Sequence, residues 1–559
     1  MKIYKKVIEN WPLALLIIVS IVAIMPFFNP GFFPIHDDTQ IQRVYEMKGA
    51  LADGVFPVRW VSDLGYGYGY PIFNFYAPLP YYLGGAISLL GISVLLATKL
   101  MIAVSIVGAA FSMYLLAREF WGKSGGFLSG VLYLFAPYHA LNAYVRGDIG
   151  ELYAYFFIPL VLYGIWKYYK NPNFKYLLIG ALSYAGLITS HNLSALMVTP
   201  FIILTILILL FIKRRFSILA IPVLGLLLSS FYFIPALAEM NYTNVLKIVE
   251  ENIDYKEHFV CIPQIWDSLW MYGGSISGCV DGLSFRLGKI HIIFSILSVF
   301  LAVLLFKKEK LKAGIVIILF LFLVLSLFFM IDLSKSIWAS VPYMNFFQFP
   351  WRFLLLASFF SSFIGGSLIF FIPKFFSKKK YRWIILVIGF IFVLLPVIFY
   401  SKLFVPQEYI NKTSNEYTSK EFLNWTTSQI SDEYMPKSFS IPSSRKQIAK
   451  ERISGENIIV SNLTEKTTML SAEIKAIKKS SIVIHIAYFP AWNYYLNDKK
   501  IEVKEIDSGV SMSIPEGKHK LLAKFEQTPI ENLANLLSLA GIVALVVGII
   551  YAKSKKSKK

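Results

Sequence analysis

Two adjacent aspartates and a histidine, His36-Asp37-Asp38, stand where the chain leaves its first long apolar stretch. A carboxylate at such a position could take a proton from a substrate, help to bind a metal ion, or cap the helix that follows. The spacing of Asp37 with Gln40, or of Thr39 with Gln42, fits a capping box. A cap needs only one side chain and three polar residues adjoin here, so the motif leaves a structural and a functional interpretation open.

A second polar motif, Arg146-Gly147-Asp148-Ile149-Gly150-Glu151, forms a short loop between two apolar stretches. Its glycines suit an ordinary turn. An arginine and two acids so close together could also hold an anionic headgroup and a metal ion, or orient a hydroxyl group. This motif is therefore the second candidate for a functional site.

Three isolated side chains lie at the ends of other apolar stretches, namely Arg59, His191 and Arg352. A histidine in this position is often structural, and an arginine can extend its guanidinium to lipid phosphate as an ordinary anchor. Each arginine could equally bind the phosphate of a substrate. The sequence pattern does not decide between these roles.

The composition defines the class of protein. Hydrophobic residues make up 56% of the 559-residue chain and charged residues only 16%, well below the roughly 25% of soluble domains. The formal net charge of +20 could indicate a nucleic-acid partner, but the lysines and arginines lie in short loops between apolar stretches. That placement is the orientation signal of membrane proteins. The composition predicts a polytopic α-helical membrane protein embedded in a lipid bilayer, with no nucleic acid as partner.

Twelve apolar stretches are long enough to be predicted as spans: 11–28, 97–117, 125–141, 154–169, 175–190, 193–212, 216–236, 289–306, 312–331, 351–372, 382–401 and 530–552. The first follows Lys2, Lys5 and Lys6 and is predicted to be a retained helix rather than a signal peptide. A further stretch at 78–92 decides the topology, because every later loop changes sides if it crosses. If 78–92 lies in the interface, all basic loops and the C-terminal KSKKSKK fall inside.

We therefore expect a multi-pass plasma-membrane protein with both termini in the cytoplasm. In this topology all the polar motifs described share the external face, together with the long loop 237–288 and the polar segment 402–528. Charges that are scattered along the sequence would then meet in one place.

The polar segment 402–528 alternates apolar and polar residues in its later half, with turn signals such as LNDKK between the runs. This pattern predicts an antiparallel, sandwich-like β domain. We expect a transmembrane catalytic domain at 1–401, the external β-rich domain at 402–528, and a final transmembrane helix with a basic tail at 529–559.

Both cysteines, Cys261 and Cys279, lie in the loop 237–288. An oxidising exterior favours a disulfide between them over two free thiols. The pairing would stabilise the loop by about 3 kcal/mol. Nucleotide-binding glycine motifs of the P-loop or dinucleotide type do not occur in the sequence.

The acidic pair after the first span, the interfacial helices and the second acidic loop resemble the type C (GT-C) glycosyltransferase superfamily. Its members are polytopic enzymes that use polyprenyl-phosphate sugars on the external or lumenal face. The resemblance implies that Asp37 is the catalytic acid–base residue and Asp38 its acidic neighbour, with Asp148 or Glu151 as the second acidic site. This sequence has His-Asp-Asp where aromatic-Asp-Glu is more usual, which leaves open which carboxylate is the base.

A closer similarity is to the prokaryotic membrane proteins labelled "6-pyruvoyl-tetrahydropterin synthase-related". It rests on the stretches HDDTQIQRVYEMKGALADGVFPVRW, GYGYPIFNFYAPLPYYLG, YVRGDIGELYA and DGLSFRLG. The C-terminal YFPAWNYYLNDKKIEV and GVSMSIPEGKHKLLAKFEQTP resemble the external domain of bacterial membrane proteins that decorate cell-envelope polymers with sugars.

These resemblances imply an inverting glycosyltransferase that moves a sugar from a polyprenyl-phosphate donor to a glycan, lipid or protein acceptor of the cell envelope. Asp37 would be the general base and Asp38 would orient it. The donor phosphate would be held by Arg59, Arg146 and Arg352. His36 and His191 would make polar contacts in the site. A divalent cation, Mg²⁺ or Mn²⁺, could join the four acids Asp37, Asp38, Asp148 and Glu151.

Two other classes of function fit the same sequence. A transporter or flippase for lipid-linked sugars would also have many spans and external arginines, although internal repeats and mid-membrane charges are more typical of it. A non-catalytic envelope-assembly protein built around the β domain would tolerate replacement of Asp37 and Asp148.

Overall fold

The computed structural model describes residues 11–245, 254–375 and 382–557. Within these residues, nine helices are long and apolar enough to cross a membrane, and two shorter apolar helices accompany them. The helix Val94–Leu134 breaks at Gly122, whose φ of 76° is not helical, so it supplies two of the predicted spans. Every predicted span therefore corresponds to an apolar helix. Several basic residues used in the topology prediction, including Lys2, Lys5 and Lys6, lie outside the described residues.

The main helices follow one another along the chain in the order Trp11–Ile24, Gln40–Ala52, Leu79–Leu89, Val94–Leu134, Pro137–Leu141, Ile149–Lys170, Phe174–Ser190, Asn192–Ile212, Ala220–Ala238, Ile262–Trp266, Lys289–Leu304, Lys310–Met330, Leu354–Gly365, Leu368–Phe375, Arg382–Tyr400 and Pro529–Ser557. Short turns of helix, such as Ile72–Phe75 and Ser414–Tyr417, lie between them.

The stretch 78–92 forms the helix Leu79–Leu89, which has 11 residues. Such a helix is about 17 Å long, whereas the hydrocarbon core of a bilayer is about 30 Å thick. It is too short to cross. It packs instead on the helix Gln40–Ala52, where Gly84 and Gly85 allow close approach to Val44 and Met47.

Two helices that carry site residues are held together at glycines. A Cβ on Gly164 would come within 2.5 Å of the Gly180 backbone, and one on Gly180 would meet Ile221 at 2.9 Å. Glycine at 164 lets the helices Ile149–Lys170 and Phe174–Ser190 approach closely, and glycine at 180 does the same for the helix Ala220–Ala238, as small residues do in membrane helix pairs. This contact fixes Asp148, just before the first helix, relative to His191, just after the second.

The polar segment ends in two antiparallel sheets, as its alternation predicts. The strands are β1 (Ile453–Gly455), β2 (Ile458–Lys466), β3 (Met469–Ala476), β4 (Ser480–Ile484), β5 (Trp492–Leu496), β6 (Lys499–Ile501), β7 (Lys504–Ile506), β8 (Gly509–Ile514) and β9 (Gly517–Phe525). One sheet has the order β1-β4-β8-β7 and the other β2-β3-β9-β5-β6. Alternate residues of β3 and β8 are buried. A polytopic helical membrane protein with a C-terminal β-rich domain is thereby confirmed.

The polar segment is fastened to the loops that follow the first span. Phe32 and Ile410 exchange backbone hydrogen bonds at 3.0 and 2.6 Å, and Ala487 N donates to Tyr68 O at 2.8 Å. The Asp53 carboxylate accepts from both the amide and the hydroxyl of Thr467. Farther away, a disulfide joins Cys261 to Cys279, with Cα atoms 5.6 Å apart.

Candidate active site

The backbone around Asp37 is fixed against the second polar motif. His36 N donates to Val145 O and Asp37 N to Arg146 O, each at 3.0 Å. Gln40 Nε2 donates to Gly147 O at 2.8 Å. These bonds bring the two acidic stretches together although more than a hundred residues separate them in the sequence.

The structure does not show the capping box that the spacing of the first motif allows. Thr39 is the N-cap of the helix Gln40–Ala52, and among the described residues no side chain makes a capping hydrogen bond to this helix start. The Asp37 and Asp38 carboxylates are thus free of that role. Asp148, by contrast, does cap its helix, because its Oδ1 accepts from Glu151 N at 2.9 Å.

The second motif forms a buried network of arginines and acids. Arg146 contacts Asp148 Oδ2 at 2.8 Å and Glu151 Oε2 at 3.0 Å. Arg352 reaches the same two acids, at 2.9 Å to Glu151 Oε1 and 3.7 Å to Asp148 Oδ2. Tyr138 donates to Glu151 Oε2 at 2.6 Å. Because each charge has partners of opposite sign, the network can stay ionised while buried.

Aromatic rings complete the surroundings of Arg146. Its guanidinium lies 4.6 Å from the centroid of the Trp351 ring, and it also donates to Tyr138 Oη at 3.0 Å. A guanidinium held in this way has few donors left for a ligand. Arg146 and Glu151 therefore support the site from behind, where they hold Asp148 and Arg352 in position.

A cavity of about 400 Å³ opens in front of this network. Six of its lining side chains are acidic or basic, and they come from five separate parts of the chain: Asp37, Arg43, Asp148, His191, Arg352 and Glu433. Apolar side chains line another part of the wall, and one of them, Leu237, is 64% exposed. The cavity thus combines charged groups with an apolar edge at the end of a membrane helix.

The two aspartates of the cavity titrate in opposite directions. Burial raises the pKa of Asp37, and the neighbouring negative charge of Asp148 raises it further. Burial would also raise the pKa of Asp148, but the guanidinium groups of Arg146 and Arg352 hold it below its ordinary value. Two carboxylates with separated pKa values are a common arrangement for proton transfer.

His191 joins the site as a neutral group. Its Nε2 is 4.0 Å from Asp148 Oδ1, and its Nδ1 lies 2.7 Å from Ser194 Oγ. Burial lowers the pKa of His191, against the opposing effect of Asp148 and Glu151. The imidazole is therefore uncharged near pH 7 and can offer hydrogen bonds to a bound ligand.

Two residues of the cavity, Arg43 and Glu433, were not among the candidates from the sequence. Arg43 lies in the first turn of the helix Gln40–Ala52, donates to Ser431 Oγ at 3.0 Å and stacks 4.0 Å from the centroid of Tyr76. Glu433 is its electrostatic partner, and burial raises the pKa of that carboxyl while Arg43 lowers it. No spacing pattern in the sequence singles out Arg43, because its neighbours at helical spacing, Gln40 and Glu46, are polar as well.

The structure leaves three predicted site residues outside both the cavity and the arginine network behind it. Asp38 faces Lys412, and burial raises its pKa to about 6. His36 is exposed and hydrogen-bonds to Tyr272 O at 3.1 Å.

Arg59 belongs to a different buried cluster. It donates to Asn74 Oδ1 at 2.9 Å and to Asn535 Oδ1 at 3.0 Å, and its Nε is 3.6 Å from Glu531 Oε1. With its charge satisfied by Glu531, Arg59 attaches the helix Pro529–Ser557 to the loop before Leu79. The structure therefore does not bring it to the position where it would bind a donor phosphate.

The donor set fits a divalent cation poorly. Asp148, Glu151 and His191 offer ligand atoms within 4.8 Å of one another. Both Glu151 oxygens and Asp148 Oδ2 already face guanidinium groups at 3.0 Å or less, however, and Mg²⁺ or Mn²⁺ would have to compete with two fixed cations for them. Asp38 points elsewhere. The four acids proposed from the sequence thus do not form one oxygen-ligand set.

Comparison with known proteins gives the family. A family model described as "6-pyruvoyl-tetrahydropterin synthase related domain; membrane protein" matches residues 73–404. A protein of Lactococcus lactis subsp. cremoris (strain MG1363), described only as uncharacterized, is 24% identical over 319 residues. That alignment covers 54% of this chain, and the chain spans only 51% of the relative's length.

Among solved structures, the chain is similar to an oligosaccharyltransferase of Archaeoglobus fulgidus. The apo form has 12% identity and a TM-score of 0.43, and the match covers 78% of this chain and 62% of that chain. The form with Zn and sulfate has 13% identity and a TM-score of 0.33, with coverages of 79% and 58%. TM-scores below 0.5 mark a distant likeness, which by itself says nothing about activity. The family match, in contrast, extends over more than half of the chain, and the protein therefore belongs to the 6-pyruvoyl-tetrahydropterin synthase related membrane protein family.

Proposed function

We propose that this protein is an integral-membrane glycosyltransferase that takes its sugar from a polyprenyl-phosphate carrier. The observation that carries the proposal is the cavity in which the half-buried Asp37 carboxylate faces the guanidinium groups of Arg43 and Arg352. A lipid-linked phosphate needs cationic groups beside an apolar edge, and an acceptor hydroxyl needs a base. This cavity offers both kinds of group.

In the proposed reaction, Asp37 removes the proton of an acceptor hydroxyl as the oxygen attacks the anomeric carbon. The bond between that carbon and the phosphate oxygen breaks, and the polyprenyl phosphate leaves with the electron pair. Arg43 and Arg352 stabilise the charge that develops on the phosphate. A single displacement of this kind inverts the anomeric centre.

The remaining residues of the network position these groups. Asp148 keeps Arg352 oriented and raises the pKa of Asp37 by its charge. Glu151 and Arg146 hold Asp148 from behind. We assign Arg352 to the donor phosphate as the sequence predicted, and we replace Arg146 and Arg59 in that role by Arg43.

We further propose that the acceptor approaches through a polar groove of about 760 Å³ between the first loop and the β domain. Its lining includes Asp63 and Tyr68 of the first loop and Arg452 and His485 of the polar segment. In this proposal the plasma membrane carries the protein with this groove on the external face, where envelope glycans, lipids and proteins are the available acceptors.

The experiment that tests the proposal is sugar transfer by the purified protein in liposomes. A panel of radiolabelled polyprenyl-phosphate sugars is offered with crude envelope acceptor, and the label is followed into acceptor. Transfer from one or more donors supports the proposal. Movement of an intact donor across the bilayer without transfer would instead favour a flippase.

The raised pKa of Asp37 predicts an acid limit to activity. Asp37 must be ionised to accept a proton, and burial together with Asp148 favours its protonated form. The rate should therefore fall with decreasing pH already above the ordinary aspartate range, by about tenfold per unit below the pKa. The variant Asp148→Asn lacks the charge that raises the pKa of Asp37, and Arg146 and Arg352 lose one of their acidic partners. The acid limit of the rate should therefore move to lower pH.

A pH–rate profile of kcat/KM measures this limit. Asp38→Asn is the control, because Asp38 also titrates above its ordinary range but faces Lys412 outside the cavity. An acid limit that persists in Asp148→Asn at the same pH and moves in Asp38→Asn would contradict the assignment.

Chelation of divalent cations should leave transfer unaffected. The arginines occupy the carboxylate oxygens that Mg²⁺ or Mn²⁺ would need, so the proposed mechanism has no step through a metal. We expect the rate in EDTA to match the untreated rate within about twofold. Loss of activity in EDTA that either cation restores would show that the network rearranges to bind a metal.

A further inference from the structure

An apolar cavity of about 210 Å³ lies between the membrane helices, away from the Asp37 site. Its lining comes from five helices and includes Phe120, Trp166, Ile315 and Phe363. Apart from Thr205 and the indole of Trp166, the described lining is entirely apolar. A cavity with such walls is suited to a hydrocarbon chain and not to a sugar or a phosphate.

Three lysines gather beside this cavity. Lys170 Nζ is 4.6 Å from the centroid of the Trp166 ring, which lines it. Lys312, one turn before Ile315, places its Nζ 3.5 Å from the centroid of Phe370, and Lys374 places its own 5.1 Å from the same ring. Lys312 feels the charges of both other lysines, so the three ammonium groups form one cluster.

The cluster has a surplus of positive charge. In the described part of the chain, Glu309 is the one acid that acts on Lys312, and it is already paired with Lys374 at 2.7 Å. The positive charges of the three ammonium groups repel one another. An anion bound between them would relieve the repulsion, and the apolar cavity next to them would hold the chain of a lipid.

The position is remote from the proposed active site. Asp148 stands at the start of the helix Ile149–Lys170 and Lys170 at its end, and its 22 residues are about 33 Å long. Arg352 and Lys374 are separated in the same way at the two ends of the span Pro350–Phe375. The lysine cluster and the Asp37 cavity thus lie at opposite ends of the helix bundle.

We propose that this is a binding site for an anionic glycerophospholipid, with one acyl chain in the apolar cavity and the phosphate on Lys170, Lys312 and Lys374. Charge complementarity selects the headgroup, as in other basic pockets between membrane helices. The site is independent of glycosyl transfer. It gives the protein a preferred lipid at the membrane surface opposite the Asp37 cavity.

Native mass spectrometry of the purified full chain in detergent tests the proposal, with dioleoyl phosphatidylglycerol and dioleoyl phosphatidylcholine as probes. The wild type should retain phosphatidylglycerol in preference to phosphatidylcholine. The triple variant K170Q/K312Q/K374Q should bind phosphatidylglycerol at least roughly tenfold more weakly. The matched control is K307Q/K308Q/K310Q, which removes the same charge from the exposed loop beside the cluster.

A second variant, Thr205→Trp, tests the chain cavity while the lysines stay in place. It should also lose phosphatidylglycerol, because the indole fills the space of the acyl chain. A melting curve in the same detergent shows that each variant is folded. Equal retention of the two lipids by the wild type, equal losses in both lysine variants, or unchanged binding in Thr205→Trp would overturn the proposal.

Discussion

Replacing Asp37 with asparagine should reduce sugar transfer by about a hundredfold to ten-thousandfold, which is the usual contribution of a general base. The substitution keeps the size of the side chain and removes its negative charge and its ability to accept a proton. The backbone bond from Asp37 N to Arg146 O remains, so the loop keeps its place. Donor binding should be preserved or slightly stronger, because a negative charge near the phosphate is gone.

The measurement is single-turnover transfer together with donor binding, for the wild type and Asp37→Asn in the same liposomes. Asp38→Asn is the matched control, since it changes the adjacent carboxylate that faces Lys412. It should keep activity within about tenfold. Full activity in Asp37→Asn would remove Asp37 from the reaction and make Glu433, the other carboxylate of the cavity with a raised pKa, the next candidate.

Replacing Glu151 with glutamine should destabilise the protein strongly, by about 3 to 5 kcal/mol. Glu151 is 1% exposed and is the acid that Arg146 and Arg352 share. Without its charge, two buried guanidinium groups have only Asp148 as a common partner. Unpaired buried charges are among the most unfavourable changes that a single substitution can make.

Denaturant or thermal unfolding in a defined detergent measures this loss. Asp267→Asn is the control, because it breaks an ion pair with Lys289 whose side chains are 54% and 46% exposed. Exposed pairs contribute at most about 1 kcal/mol. If Glu151→Gln unfolds at the same point as the wild type, the network is not the support that holds the site together.

The membrane helices could be predicted from the sequence because the hydrophobic effect acts on long, contiguous stretches. The stretch 78–92 is an example. The basic residues of the later loops favour a topology in which this stretch does not cross the membrane, and its helix is too short to cross. The β strands of the polar segment followed from their alternation for a similar reason. Both patterns are local, because each lies within one continuous stretch of the chain.

The site could be predicted only in part, because its contacts join distant parts of the chain. The sequence placed Asp37, Asp148, His191 and Arg352 on one face through topology alone, and the structure brings all four to one cavity. The roles of adjacent residues were harder to predict from the sequence. Asp37 and Asp38 look equivalent in sequence, but the turn before Gln40 directs them to different surroundings.

Two arginines illustrate why distant contacts could not be predicted: Arg59 was a candidate that the structure places elsewhere, and Arg43 is a cavity residue that was not a candidate. Arg59 in FPVRW resembles a phosphate anchor, yet its partner Glu531 lies near the other end of the chain. Arg43 lies on a helix of mixed polar and apolar residues, and its role depends on Ser431 and Glu433 in the polar segment. No pattern of local spacing contains information on such pairs.

A doubly labelled donor shows whether the Asp37 cavity breaks the bond between sugar and phosphate. A polyprenyl-phosphate sugar carrying one label on the sugar and another on the prenyl chain is incorporated into liposomes with the purified protein and acceptor. We expect the sugar label to move to the acceptor while the prenyl label stays in the membrane, and we expect this separation to be lost in Asp37→Asn. If the two labels remain together and cross the bilayer at the same rate in wild type and variant, the protein moves lipid-linked sugars and is not a glycosyltransferase.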